Sequence, residues 1–530
     1  MPPKPGREGH SVTLLTEVLR ERAREKPDQI AFIDGDREIT YAELDASVDR
    51  AAQALAAAGV EAGDRVAVLD KNSVEYVEQL FGAARLGAVQ VPVNYRLAPA
   101  EVAYIVNDAR AKVFIAGPEF VPVLDEIAGE LEHTTKLVVI NGSGHAYDDY
   151  ADWQAAHPAE PVPAQVASSD VFVQLYSSGT TGRPKGVLLA HDNFTAVLPN
   201  TNQLWDLDDE TVLMVAMPMY HVAGNALSVC VVWDGLTGVI MREPDPVGIT
   251  KAVERHRVTH LFLVPVLLLF IQMMPEAREA DMSSLRLMLY GASPISDDVL
   301  RGAMEMLPTT QFMQLYGLTE TTGSITYLPP EDHDPDGPNA HRLRSAGIPN
   351  PSCELRIVDP ATLEEVPVGE VGEIICRTPQ NMQGYWQLAE ATAAALPEGG
   401  WFRTGDAGYL DEDGYLYIHD RVKDMIISGG ENIYPAEVEN VLMSHPAVAD
   451  CAVIGVPHEK WGETPKAIVV VPEGNASDAE LIEYCRSKLA HFKCPTSVER
   501  IEAIPRNPTG KVLKRELREV YWADQDRAVH

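Results

Sequence analysis

Residues 176–186 read Tyr-Ser-Ser-Gly-Thr-Thr-Gly-Arg-Pro-Lys-Gly and continue from the apolar stretch Val171–Tyr176. Such a stretch, bounded by glycines, predicts a buried strand that ends in a tight loop. Hydroxyls, glycines and a lysine in one loop suit a polyphosphate, because glycine lets backbone N–H groups approach the ligand. The loop differs from a Walker A sequence, since Gly186 stands where that motif has Ser or Thr. The segment therefore predicts a phosphate site at the end of a strand.

Helical and strand patterns alternate on both sides of this loop. Thr40 and Glu43 predict a capping box at the start of a helix. Further predicted elements are the helix Asn72–Leu86 and the strands Arg65–Leu69, Ala88–Val93, Val258–Leu263 and Leu285–Tyr290. Short strands and turns follow from about residue 341, and a smaller α/β segment follows Arg421. This alternation predicts an α/β fold with a large N-terminal domain of helix-covered, mainly parallel sheets, a small β-rich subdomain, and a small α+β C-terminal domain.

Composition limits the class of protein. The chain has 530 residues, 45% hydrophobic and 23% charged, which indicates a globular protein of more than one domain. The net charge of −35 argues against nucleic-acid binding by bulk charge. The six cysteines lack the spacing of a zinc site, and the apolar run Leu261–Ile271 is too short for a membrane-spanning helix. We expect a cytoplasmic protein with reduced thiols that is not an integral membrane protein; a homodimer is compatible with the sequence.

Four further motifs follow the loop in order. They are Tyr316-Gly-Leu-Thr-Glu320, Thr404-Gly-Asp406, Arg421-Val-Lys-Asp424 with the following Ser428–Pro435, and Asn507-Pro-Thr-Gly-Lys511. Together with residues 176–186 they resemble the motifs of the adenylate-forming superfamily, which includes acyl-CoA synthetases, adenylation domains of peptide synthetases and luciferases. The resemblance covers nearly the whole chain. It implies an N-terminal domain of residues 1–420 and a mobile C-terminal domain of residues 421–530, with a hinge near Lys423.

The resemblance also implies a two-step reaction. A carboxylate attacks the α-phosphorus of ATP to give an acyl-adenylate and pyrophosphate, and a thiol then takes the acyl group and releases AMP. We therefore expect an AMP-forming acid–thiol ligase that uses ATP, Mg²⁺ and CoA. The alternative is an adenylate-forming enzyme with another acceptor, such as a carrier protein in trans or an amine. A non-catalytic nucleotide-binding protein is disfavoured, because Lys185, Glu320, Asp406 and Lys511 are all present.

The family's motifs assign roles to residues of this chain. Glu320 resembles the magnesium ligand, Thr319 the contact to the α-phosphate, and Asp406, assisted by Arg421, the acceptor for the ribose hydroxyls. The phosphate contacts would come from Ser177, Ser178, Gly179, Thr180, Thr181, Gly182 and Lys185, and the adenine pocket from Gly291, Ala292, Ser293, Tyr316 and Gly317.

Several C-terminal residues resemble the machinery of the two half-reactions. Lys511 resembles the lysine that bridges the carboxylate and the α-phosphate, where it stabilises developing negative charge. Gly429 and Gly430 would leave room for a pantetheine arm. Trp461 and Phe492 match aromatic positions that flank the CoA nucleotide in some aryl-CoA ligases. Where those relatives often have basic residues after the Phe, this chain has Cys494 and Thr496.

The acyl pocket is expected near His221, in Met217-Pro-Met-Tyr-His-Val-Ala-Gly224. In the family a residue here gates the junction of carboxylate and thiol; a core histidine with satisfied hydrogen bonds is the structural alternative. The pocket segments, 222–227, Val264–Leu268, Gly291–Ser293 and Thr319–Ser324, are mainly small or apolar and contain no Lys or Arg. An apolar monocarboxylate is therefore favoured, because burying an unpaired charge is costly. Leu285–Ser296 is most similar to bacterial fatty-acyl-CoA synthetases, which implies a role in fatty acid metabolism.

Overall fold

The structure of the chain is a computed structural model that describes residues 14–142, 146–177, 184–293, 295–421, 424–428, 431–458, 460–472, 476–506 and 512–522. These residues divide into two compact units. The first is Met1–Glu354 with Cys376–Phe402, and the second is Leu355–Ile375 with Arg403–His530. The predicted boundary after residue 420 stays a prediction.

The helices lie mainly between strands. They are α1 Leu15–Glu25, α2 Tyr41–Ala57, α3 Val74–Arg85, α4 Pro99–Asp108, α5 Val121–Ile127, α6 Tyr150–Ala155, α7 His191–Leu204, α8 Val222–Asp234, α9 Pro246–His256, α10 Pro265–Met273, α11 Pro275–Arg278, α12 Asp297–Met306, α13 Ala389–Ala395, α14 Pro435–Met443, α15 Asp478–Arg486 and α16 Lys514–Trp522. None of the helices in the described ranges is long and apolar enough to span a membrane.

The strands are mostly short. They are β1 Ile30–Asp34, β2 Arg37–Thr40, β3 Arg65–Leu69, β4 Val89–Pro92, β5 Ala111–Ala116, β6 Lys136–Val139, β7 Asp148–Asp149, β8 Val171–Ser177, β9 Lys185–Ala190, β10 Val212–Val215, β11 Thr237–Ile240, β12 His260–Leu263, β13 Leu287–Gly291, β14 Gln311–Leu318, β15 Gly323–Leu328, β16 Ile348–Pro349, β17 Glu354–Val358, β18 Gly372–Arg377, β19 Gly384–Tyr385, β20 Trp401–Leu410, β21 Leu416–Arg421, β22 Ile426–Ser428, β23 Glu431–Ile433, β24 Asp450–His458, β25 Gly462–Val470 and β26 Ser497–Arg500.

Two mixed sheets form the first unit. One has the strand order β16-β15-β14-β13-β12-β10-β11-β1-β2, and the other has the order β19-β9-β8-β4-β3-β5-β6-β7. The six central strands of the first sheet run parallel to one another; they are β14, β13, β12, β10, β11 and β1. At its edges, β15 pairs antiparallel with β14, β16 with β15, and β2 with β1. Apolar side chains of α9, α10 and α12 pack on the first sheet around Met288 and Tyr290. The predicted α/β class with mainly parallel, helix-covered sheets is confirmed.

Local sequence signals set the ends of several elements. At α2, the amide of Glu43 donates to Thr40 Oγ1 (3.2 Å) and the amide of Thr40 donates to the Glu43 carboxylate (2.9 Å), which is the predicted capping box. Helix α3 begins later than predicted, at Val74, because the hydroxyl of Ser73 caps it by accepting from the amide of Tyr76. Such caps satisfy N–H groups that have no partner inside the helix.

The second unit contains two smaller sheets. Strands β17, β18, β20 and β21 form one, and β22–β26 form the other. Apolar residues of β24, β25, α14 and α15 fill the core of the latter, including Val453, Val469 and Leu481. Helix α16 is held by the indole N–H of Trp522, which donates to the carbonyl of Gly455 (3.0 Å). The short strands expected after residue 341 and the α+β segment after Arg421 are both present.

A buried carboxyl group in α3 makes the stability of the first unit depend on pH. Glu78 is 8% exposed, and its Oε2 accepts hydrogen bonds from Tyr150 (2.9 Å) and Gln154 (3.1 Å). Burial raises the pKa of Glu78 to about 7 from its ordinary 4.5, because the interior disfavours the charged form. The folded protein therefore holds this proton more tightly than the unfolded chain does.

We predict that Glu78→Gln makes thermal stability less dependent on pH. The raised pKa contributes stability that is fully present below about pH 4.5 and is lost as the pH rises through about 7. The loss is on the order of 3 kcal/mol for this shift. In a calorimetric pH series, the midpoint of the wild type should fall relative to that of the variant between pH 5 and pH 8. The exposed control Glu126→Gln should follow the wild type; parallel curves for Glu78→Gln and the wild type would contradict the prediction.

Candidate active site

The predicted phosphate loop connects two paired strands. Strand β8 ends at Ser177 and strand β9 begins at Lys185, and these two residues are direct partners in the antiparallel pair. The loop is thereby the connection of a β-hairpin, with a hydroxyl at one end and an amine at the other. The predicted phosphate residues Ser178, Gly179, Thr180, Thr181 and Gly182 lie outside the described residues.

Glu320 lies beside this hairpin. Its carboxylate Oε1 accepts hydrogen bonds from the hydroxyls of Ser177 (3.1 Å) and Tyr385 (3.1 Å). Its backbone carbonyl accepts from the amide of Met382 (2.8 Å). Both of these side-chain hydrogen bonds reach the same oxygen. A carboxylate with one oxygen held in this way can direct the other oxygen to a ligand.

Tyr385 was not identified from the sequence, yet it connects two of the predicted residues. Its ring lies 4.8 Å from the amine of Lys185, a cation–π distance, and its hydroxyl binds Glu320. Burial and the nearby Glu320 charge raise the pKa of Tyr385, so the hydroxyl stays protonated and remains a donor. Its position follows from strand pairing, because β19 lies antiparallel to β9 with Tyr385 opposite Val187.

The segment around Tyr385 also holds the loop that carries Glu320. The side-chain amide of Gln380 donates to the carbonyls of Thr321 and Ser324, each at 2.7 Å. The hydroxyl of Thr322 donates in turn to the carbonyl of Gln380 (2.7 Å). Thr322 has a positive φ of 53°, which costs energy for a β-branched residue and so requires such support. The loop that carries Glu320 is therefore held by residues that are distant from it in sequence. The segment of Gln380 and Tyr385 holds it on one side, and Ser177 binds the Glu320 carboxylate on the other.

The predicted adenine residues lie where two parallel strands end. Gly291 is the last residue of β13 and is the partner of Leu315 in β14, next to Tyr316 and Gly317. A Cβ at Gly291 would lie 2.1 Å from the carbonyl oxygen of Leu315, and one at Gly317 would lie 1.9 Å from that of Gly323. Only glycine fits at either position. Ala292 follows with a φ of 63°, Ser293 comes next, and Thr319 begins the turn that carries Glu320.

His221 precedes α8 and follows β10 at the same edge of the sheet. Its Nε2 is buried and has no hydrogen-bond partner among the described residues, which argues against the structural alternative of a core histidine with satisfied hydrogen bonds. Burial, and to a lesser extent the charge of Arg96, lowers its pKa to about 4 from 6.5. The imidazole is therefore neutral at pH 7. Arg96 was not identified from the sequence either. It supplies a positive charge near His221, whereas the expected pocket segments contain no Lys or Arg.

Two predicted nucleotide residues belong to the second unit. Asp406 is 8% exposed on β20, and its amide donates to the hydroxyl of Thr404 (3.0 Å). It is the backbone partner of Arg421 on β21. The predicted hinge, pantetheine and catalytic residues Lys423, Gly429, Gly430 and Lys511 lie outside the described residues.

Two aromatic side chains are unusually exposed in the second unit. Trp461 is 46% exposed and Phe492 is 45% exposed. The amine of Lys460 lies 4.3 Å from the Trp461 ring centroid. Lys493 is held by the Glu437 carboxylate at 2.7 and 2.8 Å. Cys494 is buried, so the position that is often basic in related ligases here belongs to the core.

Thr496, the other such position, is also engaged in the fold. Its hydroxyl accepts from Thr464 (3.1 Å) and donates to the carbonyl of Pro465 (3.3 Å). Neither Cys494 nor Thr496 therefore offers a cation to a phosphate group.

The residues around Glu320 fit a magnesium ion. Mg²⁺ is commonly bound by one or two carboxylates together with substrate phosphates and water. Glu320 supplies a hard oxygen ligand beside the phosphate-loop hairpin. No group of three or more His, Cys, Asp or Glu side chains suited to a metal ion is found in the described parts of the chain. A site of this kind would use the phosphates of a bound nucleotide as its remaining ligands.

Comparison with known proteins identifies both parts of the chain. The family model for AMP-binding enzymes matches residues 19–386, and that for the AMP-binding enzyme C-terminal domain matches residues 437–511. The chain is 39% identical to a fatty acid–[acyl-carrier-protein] ligase of Streptomyces coeruleorubidus, over 97% of this chain and 98% of the relative. It is 41% identical to a feruloyl-CoA synthase of an Amycolatopsis species, over 94% and 97%. A solved structure of a Mycobacterium tuberculosis fatty acyl CoA synthetase matches with a TM-score of 0.78 and 35% identity, covering 96% of this chain and 99% of that one.

We predict that Tyr385→Phe weakens the binding of magnesium ATP about tenfold. The variant keeps the ring beside Lys185 but removes a hydroxyl donor to a charged carboxylate, an interaction worth about 1.5–3 kcal/mol. Calorimetric titration with ATP at saturating Mg²⁺ measures the change. The control Tyr147→Phe removes a hydroxyl that binds Asp125 at 2.7 Å elsewhere in the unit, and it should leave binding unchanged. Equal affinity in all three proteins would show that the Tyr385 hydroxyl does not position Glu320.

Proposed function

The chain belongs to the family of AMP-binding enzymes, and on that premise we propose that it is an ATP-dependent acyl-CoA ligase that acts on an apolar carboxylate. The observation that carries the proposal is the arrangement of Ser177, Lys185, Glu320 and Tyr385. In this arrangement the hairpin that would hold the phosphates lies next to the carboxylate that would bind the metal ion. Adenylyl transfer depends mainly on positioning and on stabilising charge, which is what such an arrangement supplies.

In the first step the carboxylate oxygen of the substrate attacks the α-phosphorus of ATP, and pyrophosphate leaves. A general base is not required, because a carboxylic acid is already ionised at pH 7. Lys185, with Thr180 and Thr181 of the loop, would hold the departing phosphates. Lys511 would stabilise the negative charge that develops between the carboxylate and the α-phosphate. Magnesium, held by Glu320 and the phosphates, would neutralise part of the nucleotide charge.

The nucleoside contacts are assigned from the glycine-lined strand ends. The missing Cβ atoms at Gly291 and Gly317 let neighbouring backbone carbonyls approach, so the chain packs closely at the ends of β13 and β14. We propose that the adenine ring lies at these strand ends, beside Tyr316. Asp406 and Arg421 would bind the ribose hydroxyls. The neutral ring of His221 suits the junction between carboxylate and thiol, because it adds no positive charge that would hold the carboxylate away from phosphorus.

In the second step a thiol attacks the carbonyl carbon of the acyl-adenylate and releases AMP. We propose that rotation near Lys423 removes Lys511 from the site and brings Gly429 and Gly430 to the incoming thiol. One polypeptide could then serve both half-reactions in turn. The cytoplasmic location expected from the sequence stays a prediction, and a homodimer stays compatible with the sequence.

Coenzyme A is the acceptor we propose, with Trp461 and Phe492 as the surfaces on which its adenine stacks. The alternative acceptor is a carrier protein, which a specific observation favours. The ammonium group of Lys493 is paired with the Glu437 carboxylate. Cys494 is buried, and the hydroxyl of Thr496 is hydrogen-bonded to Thr464. The described residues next to Phe492 therefore provide little positive charge for a 3′-phosphate. A carrier protein presents its phosphopantetheine arm without that nucleotide.

A pyrophosphate-release assay with a panel of carboxylates tests the proposed function. Straight-chain acids, arylpropanoic acids and cinnamic acids should be supplied with ATP and Mg²⁺, without acceptor and then with CoA, 3′-dephospho-CoA or a phosphopantetheinylated carrier protein. We expect a burst of pyrophosphate without acceptor and steady turnover with CoA. Turnover with the carrier protein alone would establish the alternative. Formation of ADP, or of AMP without any carboxylate, would contradict both.

We predict that Lys511→Ala lowers the rate of acyl-adenylate formation by on the order of 10²–10³-fold, as for loss of one transition-state donor. Transfer of the acyl group from a supplied acyl-adenylate to the acceptor should be spared, because the lysine would have left the site by then. Rapid-quench measurement of the two half-reactions separates these effects. An equal loss in both would assign Lys511 a structural role.

A further inference from the structure

Asn225 presents a hydrogen-bonding group in the expected acyl pocket that the chain itself does not satisfy. It lies in the first turn of α8, where its amide N–H donates to the carbonyl of His221 (3.0 Å). The residue is 1% exposed, and neither Nδ2 nor Oδ1 of its side chain has a hydrogen-bond partner among the described residues. Buried polar side chains are normally paired, so a partner outside the described residues is implied.

Two other buried polar side chains in this part of the fold do find partners within the chain. The side-chain Nδ2 of Asn72 donates to the carbonyl of Met217 (3.0 Å), and its Oδ1 accepts from the amide of Met219 (2.8 Å). Ser228, one turn after Gly224 on α8, donates to the Gly224 carbonyl (2.9 Å). The backbone here can therefore satisfy a buried polar side chain, yet it leaves both polar atoms of the Asn225 side chain without a partner among the described residues.

A second unpaired atom lies at the start of the same helix. His221 is the N-cap residue of α8, and the amide of Asn225, in the first turn, donates to its carbonyl (3.0 Å). The Nε2 of His221 is buried without a partner as well. Gly224 fixes the turn between them, because a Cβ there would meet the carbonyl oxygens of Met217 (2.3 Å) and Pro218 (2.4 Å). The Nε2 of His221 and the side-chain amide of Asn225 therefore both lack hydrogen-bond partners among the described residues, within one turn of each other.

We propose that the side-chain amide of Asn225 binds a neutral hydrogen-bonding group of the acyl substrate, such as a hydroxyl or keto oxygen close to its carboxylate. This inference rests on the proposed function, in which the substrate carboxylate lies near His221. An amide offers both donors and an acceptor without a formal charge, which suits an uncharged polar group. The short spacing to His221 places that group near C3 or C4 of the acid. The substrate is then an apolar acid with one polar substituent near its carboxylate.

Matched substrates test the inference in the absence of any acceptor, so that only the acyl site is measured. The parent is the best unsubstituted straight-chain or arylpropanoic acid of the pyrophosphate assay. Its 3-hydroxy derivative and, for a straight-chain parent, its 4-oxo derivative carry an oxygen close to the carboxylate, where Asn225 is proposed to bind it. A derivative substituted at the far end of the molecule does not. We expect kcat/KM for at least one near-substituted acid to exceed that of the parent by about tenfold or more, as for a site that hydrogen-bonds its substrate. The far-substituted acid should show no such gain.

Variants assign the effect to the amide. Asn225→Leu should abolish the preference by raising the rate with the parent and lowering that with the substituted acid, whereas Asn225→Ser should retain part of it. The control Asn202→Leu removes an amide that binds Asp234 (2.7 Å) on the neighbouring helix, and it should leave the ratio unchanged. Equal use of all acids by the wild type, or an equal loss on all of them in Asn225→Leu, would overturn the inference. Failure of every carboxylate to release pyrophosphate would instead overturn the proposed function.

Discussion

The carboxylate of Glu320 joins the two sheets of the first unit. Glu320 follows β14 in one sheet, while the hydroxyls that hold it come from Ser177 on β8 and Tyr385 on β19 in the other. An anion held by two neutral donors keeps its charge available for a cation. If the hairpin binds phosphate and Glu320 binds the metal ion, as proposed, the two functions are coupled through one side chain, and the position of each sheet affects both.

Parallel strands bring the remaining groups of the first unit to the same edge. His221, Val264 and Glu320 follow β10, β12 and β14, and Gly291 is the last residue of β13; these four strands lie side by side in one sheet. Ligands of open α/β sheets bind outside the carboxyl ends of such strands. Residues that are far apart in sequence thus lie close together because each comes at the end of a strand, and these strands are neighbours in the sheet. Substrate specificity can change through these loops while the sheet stays intact.

The sequence predicted the motif residues because their chemistry limits the choice of side chain. The Gly-rich loop and the capping box of α2 could be recognised from residue type and spacing alone, and Glu320 from the resemblance of its motif to that of a known family. Tyr385 and Arg96 could not, because each acts through a long-range contact that a local pattern does not encode. Asn225 lies within an apolar helix, and only the burial of its unpaired amide distinguishes it. The grouping of Leu355–Ile375 with the C-terminal residues likewise depends on strand pairing between distant segments.

The central claim is that a carboxylate oxygen attacks the α-phosphorus of ATP. Transfer of ¹⁸O tests it most directly. The enzyme is given a substrate with both carboxylate oxygens labelled, together with unlabelled ATP and the acceptor, and the products are analysed by mass spectrometry. We expect one ¹⁸O atom in each AMP, carried over as the bridging oxygen of the acyl-adenylate, and one in the acyl product. AMP without label, or label in the pyrophosphate, would contradict it.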